Sequence, residues 1–232
     1  MKKMYFNWSS GKDSALALHY LQQDNEYDID LLLSTINSAN DRVAMHGTQA
    51  ELLKAQAEAT GLGLSLLELP GQPTMEEYNS IMKNEILRLK DLGYEYTGFG
   101  DIFLEDIRQY REEMLSPMGI KPVFPLWKKD TRALMHDFLE QGFRTVIVAA
   151  NADLMGKEFL GRELTHELLK ELPEEVDPCG ENGEFHTFCF DGPIFQEPVK
   201  FTLGEKVYKT YPTPDKSSKQ KEIGFWFIDL RG

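Results

Sequence analysis

Apolar and polar positions alternate along the first two-thirds of the chain in two rhythms. Met4–Trp8 is a short apolar run that stops at a Ser/Gly turn, as a buried strand does. Ser14–Gln22 follows with Ala15, Leu18 and Leu21 at helical spacing, which predicts a helix with one apolar stripe. Ile29–Ile36 is a second, near-continuous apolar run, as expected of a parallel strand covered on both faces. Thr48–Thr60 reads as a helix, Ser65–Leu69 as a strand, and Met75–Leu92 as a long helix ended by Gly93. Tyr96–Phe99 is the next strand, with Gly100-Asp101 after it. Lys121–Phe124 and Thr145–Ala150 are further strands, and Thr131–Gln141 is a helix between them.

Alternation of this kind implies an α/β fold: an open, mostly parallel sheet with flanking helices. Ligands of such sheets sit outside the carboxyl ends of the strands. Ser9–Asp13, Thr35-Ile36 and Gly100-Asp101 all fall at strand ends and are therefore expected on one rim. After a helix over Arg162–Leu172 the pattern changes. Pro173–Pro178 is an acidic, proline-bounded connector. Phe185–Phe190, Val199–Leu203, Lys206–Thr210 and Gly224–Leu230 then read as strands separated by turns, with a polar stretch over Pro212–Glu222 expected to be mobile. The expected division is a nucleotide-binding portion, residues 1–105, followed by a smaller α+β portion, residues 106–232.

The 232 residues carry a net charge of -13, which disfavours a broad nucleic-acid footprint built on Lys and Arg. Cys179 and Cys189 stand ten apart without a CxxC, a spacing that suits neither zinc nor a disulfide framework. The N-terminus lacks the apolar core of a signal peptide, and no run approaches a membrane span. These features lead us to expect a cytoplasmic protein with no membrane partner, and a second copy of the chain stays open as a partner.

Between the first strand and helix lies Ser9-Ser10-Gly11-Lys12-Asp13-Ser14. A Walker A loop needs Gly where Phe6 stands and a hydroxyl residue where Asp13 stands, so that motif fails twice. What remains still suits phosphate. Gly11 permits close backbone approach, the helix start offers N–H groups, Ser9, Ser10 and Ser14 offer hydroxyls, and Lys12 offers a charge. Asp13 is placed to cap the helix or hold Mg²⁺. The pattern resembles the SGGKDS signature of the PP-loop, or N-type ATP pyrophosphatase, superfamily. Ser10 stands where that signature has its first glycine, so a positive φ there would be less comfortably met.

Asp177–Phe195 reads DPCGENGEFHTFCFDGPIF, with Glu181, Glu184 and His186 close together among glycines. On an extended segment Glu184 and His186 would share a face, where a carboxylate can orient an imidazole. A glycine-rich hairpin with solvated charges is the plainer reading of that segment alone. Taken with SSGKDS, GDIFLEDIRQYREEM and CGENGEFHT, the chain resembles the diphthine–ammonia ligase family through about Phe195. Arg42-Val43-Ala44-Met45-His46, Pro125-Leu126-Trp127 and Phe159-Leu160-Gly161 add to the likeness, and residues Gly180 to Thr187 match the family's GE-x-GE-[FY]-H-[TS] pattern.

The resemblance implies an adenine nucleotide α-hydrolase-like PP-loop domain and a substrate-binding portion. It implies a ligase that adenylates a carboxylate with ATP and Mg²⁺, releases pyrophosphate, and amidates the acyl group with ammonia. The family's acceptor is diphthine on elongation factor 2, which would apply here only to an archaeal or eukaryotic source. Ser9, Ser10, Gly11, Lys12 and Ser14 would cradle phosphate, with Asp13 or Asp101 on Mg²⁺ and Gly100 beside them. Thr35 and Ile36 would meet adenine through backbone groups, and His46 would contact phosphate or substrate unless it is a core histidine. Glu181, Asn182, Glu184, His186 and Thr187 would bind the acceptor or guide ammonia. Trp127 or Phe185 could face a trimethylammonium group, with core packing the default for both rings. Two other functions stand beside this one: a tRNA-modifying PP-loop enzyme, and a non-catalytic module that binds ATP or AMP.

Overall fold

The computed structural model describes residues 1–43, 47–213 and 221–232. In chain order it forms β1 (Lys2–Asn7), α1 (Lys12–Gln23), β2 (Tyr27–Asn37), β3 (Arg42–Val43), α2 (Ala50–Thr60), β4 (Gly63–Leu69) and α3 (Met75–Asp91). There follow β5 (Tyr96–Gly98), α4 (Glu105–Leu115), β6 (Lys121–Val123), α5 (Thr131–Glu140) and β7 (Arg144–Asn151). The last elements are α6 (His166–Glu171), β8 (Phe185–Asp191), β9 (Thr202–Pro212) and β10 (Glu222–Arg231).

Two sheets result. In the first, β1 is central and pairs in parallel with β2 and β5, β6 pairs in parallel with β5, and β4 with β2. The two-residue β3 lies antiparallel on the end of β2. The second sheet is antiparallel in the order β8-β7-β10-β9. The fold is therefore the expected α/β arrangement, a mostly parallel sheet flanked by helices, joined to an antiparallel sheet. No helix among the described residues is long and apolar enough to cross a membrane.

Strand alternation explains how the first sheet is covered. On β1, Met4 and Phe6 face one side and Tyr5 the other; on β2, Leu32 and Leu33 divide in the same way. The Phe6 side carries α1 and α2 and continues without a break into Ile147, Phe185 and Phe188 of the second sheet. The Tyr5 side carries a smaller cluster with Met82 and Ile86 of α3, Phe99 just after β5, and Leu115 of α4. α3 begins with a capping box in which Thr74 and Glu77 satisfy each other's backbone N–H.

Four local expectations need correction. Thr145–Ala150 lies in the antiparallel sheet as part of β7, because its partners are β8 and β10 and not a parallel neighbour. Of Arg162–Leu172 only His166–Glu171 is helical; Arg162 and Leu164 are engaged with β7, the Leu164 N–H donating to the Thr145 carbonyl. Val199–Leu203 and Lys206–Thr210 are not two strands: Thr202–Pro212 is one long strand beside β10. α4 was not foreseen, since its sequence is mostly charged and buries only Leu115. The sheet changes between β6 and β7, and most of the polar stretch over 212–222 lies outside the described residues.

Candidate functional site

The loop from Ser9 to Gly11 joins β1 to α1, and its backbone is shaped by Ser10 at φ +74°. That is the left-handed region, costly for a residue with a Cβ. Neighbours hold it there. Ser10 is fully buried, and its hydroxyl lies 3.0 Å from that of Thr48. Its carbonyl accepts from the Cys189 N–H at 2.9 Å and from Gln56 Nε2 at 3.0 Å. The Gln56 amide also donates to the Cys189 carbonyl at 2.6 Å and accepts from Trp8 Nε1 at 2.9 Å. One buried amide thus ties the end of β1, the loop and β8 together.

α1 has no cap from its own chain neighbourhood, because Gly11 occupies the N-cap position. The Thr187 hydroxyl of β8 accepts the Lys12 N–H at 3.1 Å instead, a capping bond from a residue 175 positions away. The Lys12 ammonium reaches both Asp13 oxygens, at 2.9 and 2.8 Å, and the Cys179 carbonyl. Burial alone would push that ammonium down, but the charge of Asp13 and its hydrogen bond are among the effects that more than offset it and keep the ammonium protonated.

A cavity of about 640 Å³ opens at the carboxyl ends of β1, β2 and β5. Its polar end holds Asn7, Ser9, Lys12, Asp13, Ser14 and Thr35 from the first sheet's rim. Gly100 and Asp101 lie beside them. A Cβ on Gly100 would come within 2.9 Å of the Asp13 carbonyl carbon and the Ser14 nitrogen, so this glycine lets β5 close onto α1. Across the polar end stand Glu181, Asn182, His186 and Thr187. The apolar lining is Tyr5, Leu33, Tyr78, Met82, Ile86 and Phe99, with Leu104 just before α4 and Ile107 and Met114 on it.

Several expected residues are placed elsewhere. Ser10 and Gly11 build the loop but do not line the cavity. Ile36 is buried in the core, away from the cavity wall that Thr35 joins. His46 lies outside the described residues. Glu184 is 2% exposed and faces its own loop, accepting the Asp177 N–H at 3.0 Å, the Asn182 N–H at 2.9 Å and the Asn182 side-chain amide at 3.0 Å. These bonds hold the turn over residues 177–182, and Glu184 does not line the cavity that His186 joins. Trp127 does not line the cavity; the Arg108 guanidinium covers its ring at 4.6 Å. Phe185 does line it, with the Lys12 ammonium 5.4 Å away.

Glu181 differs from Glu184. One of its oxygens accepts the Ile102 N–H at 2.9 Å and the Phe103 N–H at 3.3 Å, and the carboxyl faces the cavity. Burial pushes its pKa up to about 7, the two N–H donors pull the other way, and the Asp13 charge pushes up again. Asp101 is held by Arg111: Nη2 donates to Oδ1 at 3.1 Å, and Nε lies 2.8 Å from Oδ2 as an ion pair without hydrogen-bond geometry. Both cysteines are free and buried, and burial drives both thiols well above their ordinary range. Neither is poised as a thiolate. Among the described residues no three His, Cys, Asp or Glu side chains cluster as a metal site.

Sequence reasoning missed Arg111, Asn7 and Gln56. The spacing of Leu104, Ile107, Arg111 and Met114 was the available sign of a helix face turned to the cavity, and Asn7 was a polar residue closing a buried strand. Gln56 gave no sign, because a polar residue within a helix is ordinarily solvated.

Residues 1–122 match the family described as the diphthamide synthase N-terminal domain, and residues 130–219 match the diphthamide synthase C-terminal domain. Curated relatives named diphthine–ammonia ligase include those of Danio rerio, 32% identical over 45% of this chain and 43% of the relative, and Schizosaccharomyces pombe, 28% identical over 57% and 22%. The relative from Homo sapiens is 27% identical over 53% of this chain and 49% of its own length. The matches thus span half or less of these relatives. Among solved structures, a predicted subunit of tRNA methyltransferase from Methanocaldococcus jannaschii is similar at a TM-score of 0.41 and 16% identity, covering 76% of this chain and 95% of that one.

Proposed function

The chain belongs to the diphthamide synthase family, and from that premise we propose that it is an AMP-forming ligase joining a carboxylate to ammonia. The observation that carries the reading is the capping bond from Lys12 to Thr187. It brings the Ser9–Ser14 loop and the Glu181–Thr187 segment to one cavity.

In this reading Ser9, Lys12, Ser14 and the start of α1 hold the triphosphate of ATP. Thr35 lies toward the adenosine. Asp13 and Asp101 offer carboxylate oxygens of the kind Mg²⁺ takes together with phosphate, and both line the polar end of the cavity. When bound, that ion would offset charge on the phosphate oxygens. The acceptor's body lies along the apolar lining, against Met82, Phe99 and Ile107, with its carboxylate toward Lys12.

An acceptor oxygen then attacks the α-phosphorus, the bond to the β-phosphate bridging oxygen breaks, and pyrophosphate leaves. Ammonia attacks the acyl carbon of the mixed anhydride, AMP leaves with the bonding pair, and the nitrogen gives up a proton. Glu181, with a pKa near neutrality and facing this space, is placed to take that proton. The acceptor is a carboxylate whose body lies against α3 and α4; diphthine, which also carries a trimethylammonium group, is the family's acceptor.

The test is pyrophosphate release from ATP across a panel of carboxylates with ammonia. Acceptor-dependent release with matching AMP is expected, and Lys12→Ala should lower it at least 100-fold while far-UV circular dichroism stays unchanged. ATP binding without acceptor-dependent pyrophosphate would leave a nucleotide-binding module in its place. Wild-type turnover in Lys12→Ala would remove the phosphate assignment.

A further inference from the structure

Building on the reading that triphosphate sits at Ser9–Ser14, we propose that Arg111 is a second phosphate-binding cation, directed at the pyrophosphate portion. Lys12 and Arg111 are the only Lys or Arg side chains among the described residues lining the cavity. The same wall carries the carboxyls of Asp13, Asp101 and Glu181. Lys12 is already shared with Asp13 and the Cys179 carbonyl. A polyanion entering a protein of net charge -13 therefore needs more cation than Lys12 alone provides.

Position favours Arg111. Gly100 is packed against the backbone of Asp13 and Ser14, and Asp101 is the next residue, so the Asp101–Arg111 pair lies beside the first turn of α1. The guanidinium is fixed on two sides. Its Nη2 donates to Asp101 Oδ1 at 3.1 Å while Nε lies 2.8 Å from Oδ2 as an ion-pair contact, and its Cζ stands 4.3 Å from the centre of the Phe99 ring. A guanidinium has five N–H donors; the Asp101 contact uses one in a hydrogen bond, and the buried Nε has no hydrogen-bond partner. The Nη1 side keeps donors for phosphate oxygens, the geometry in which arginine binds phosphate through two bonds. α4 has turned Ile107 and Met114 to the cavity along with Arg111, so the helix places this cation there and does not leave it in solvent.

The experiment is calorimetric titration of the full chain with inorganic pyrophosphate, and separately with ATP, in metal-free buffer. Such buffer removes any role of Asp101 as a metal ligand from the comparison. The wild type should bind both, and Lys12→Ala should bind neither. Arg111→Gln should weaken pyrophosphate by about 10- to 100-fold, as expected for loss of charge-assisted bonds to an anion, and Arg111→Lys should recover part of it. The double variant Asp101→Asn/Arg111→Gln replaces the ion pair with neutral amides, so it avoids an unpaired buried charge, and it should show the same loss. Wild-type affinity for pyrophosphate in the double variant overturns the role of Arg111 and leaves the Ser9–Ser14 reading standing. Absence of binding by the wild type overturns both.

Discussion

The Ser9–Ser14 loop and the Asp177–Thr187 loop face each other across the cavity and are built by the same division of labour. In the first, Ser9, Lys12 and Ser14 line the cavity while Ser10 is buried and tied to Thr48, Gln56 and Cys189. In the second, Glu181, His186 and Thr187 line it while Glu184 is buried and satisfies its own loop. The two differ in how they are supported. The first is held from outside, by α2 and β8. The second is held largely from within, by one carboxylate that accepts three N–H bonds. A tight motif of polar residues thus contains both ligand-facing groups and the groups that keep the backbone in shape, and similar residue types serve in either role.

That comparison is most exposed at Glu184. Glu184→Ala takes the acceptor from three N–H donors of its own loop, two of them on the exposed Asn182, and should cost about 1 to 2 kcal/mol in urea unfolding. If the variant is as stable as the wild type and loses only acceptor-dependent turnover, Glu184 belongs with the ligand-facing set.

Glu181 should act through pH. Its folded pKa of about 7 lies above the ordinary carboxyl value of about 4.3, so folding favours the protonated form. Its contribution to stability is therefore complete below about pH 4 and is lost as pH rises through about 7. Glu181→Gln keeps an acceptor for Ile102 and Phe103 and should flatten that part of the stability–pH curve. It should also remove a limb near neutrality from the rate profile of amide formation. An unchanged slope in denaturation series at about pH 5 and about pH 8 would place the titrating group elsewhere.

The smallest effect is expected at Ser10. Ser10→Gly relieves a left-handed backbone worth about 1 kcal/mol but gives up the Thr48 hydrogen bond, worth about 1 kcal/mol. The two should nearly cancel. Ser10→Ala keeps the strain and loses the bond, so it should be the less stable of the pair by about 1 kcal/mol. A glycine variant that melts well below the alanine variant would show that the left-handed conformation is not what limits this loop.

Much of this was legible before any coordinates. The parallel strands were readable because burial on both faces forces continuous apolar runs, as in Leu31-Leu32-Leu33. The phosphate loop was readable because its chemistry is local: a strand, a tight turn and a helix start lie within six residues. The positive φ at Ser10 was also foreseeable there, since the family's signature has a glycine at that place. Thr145–Ala150 could not be assigned to its sheet from the sequence, because a short apolar run is the same in either kind of ladder. α4 escaped because its apolar stripe faces a cavity and is too sparse to mark a core helix.

The sequence by itself determined the strand–helix alternation, the Ser9–Ser14 loop and the presence of a second polar cluster near residue 181. Only the tertiary structure decided which members of each cluster face the ligand. A side chain's role there depends on which distant group needs a partner: Thr187 serves Lys12 from 175 residues away, and Arg111 of α4 reaches back ten residues to Asp101 in the connection after β5. Such partners are set by packing of the two sheets, which spacing along the chain does not encode.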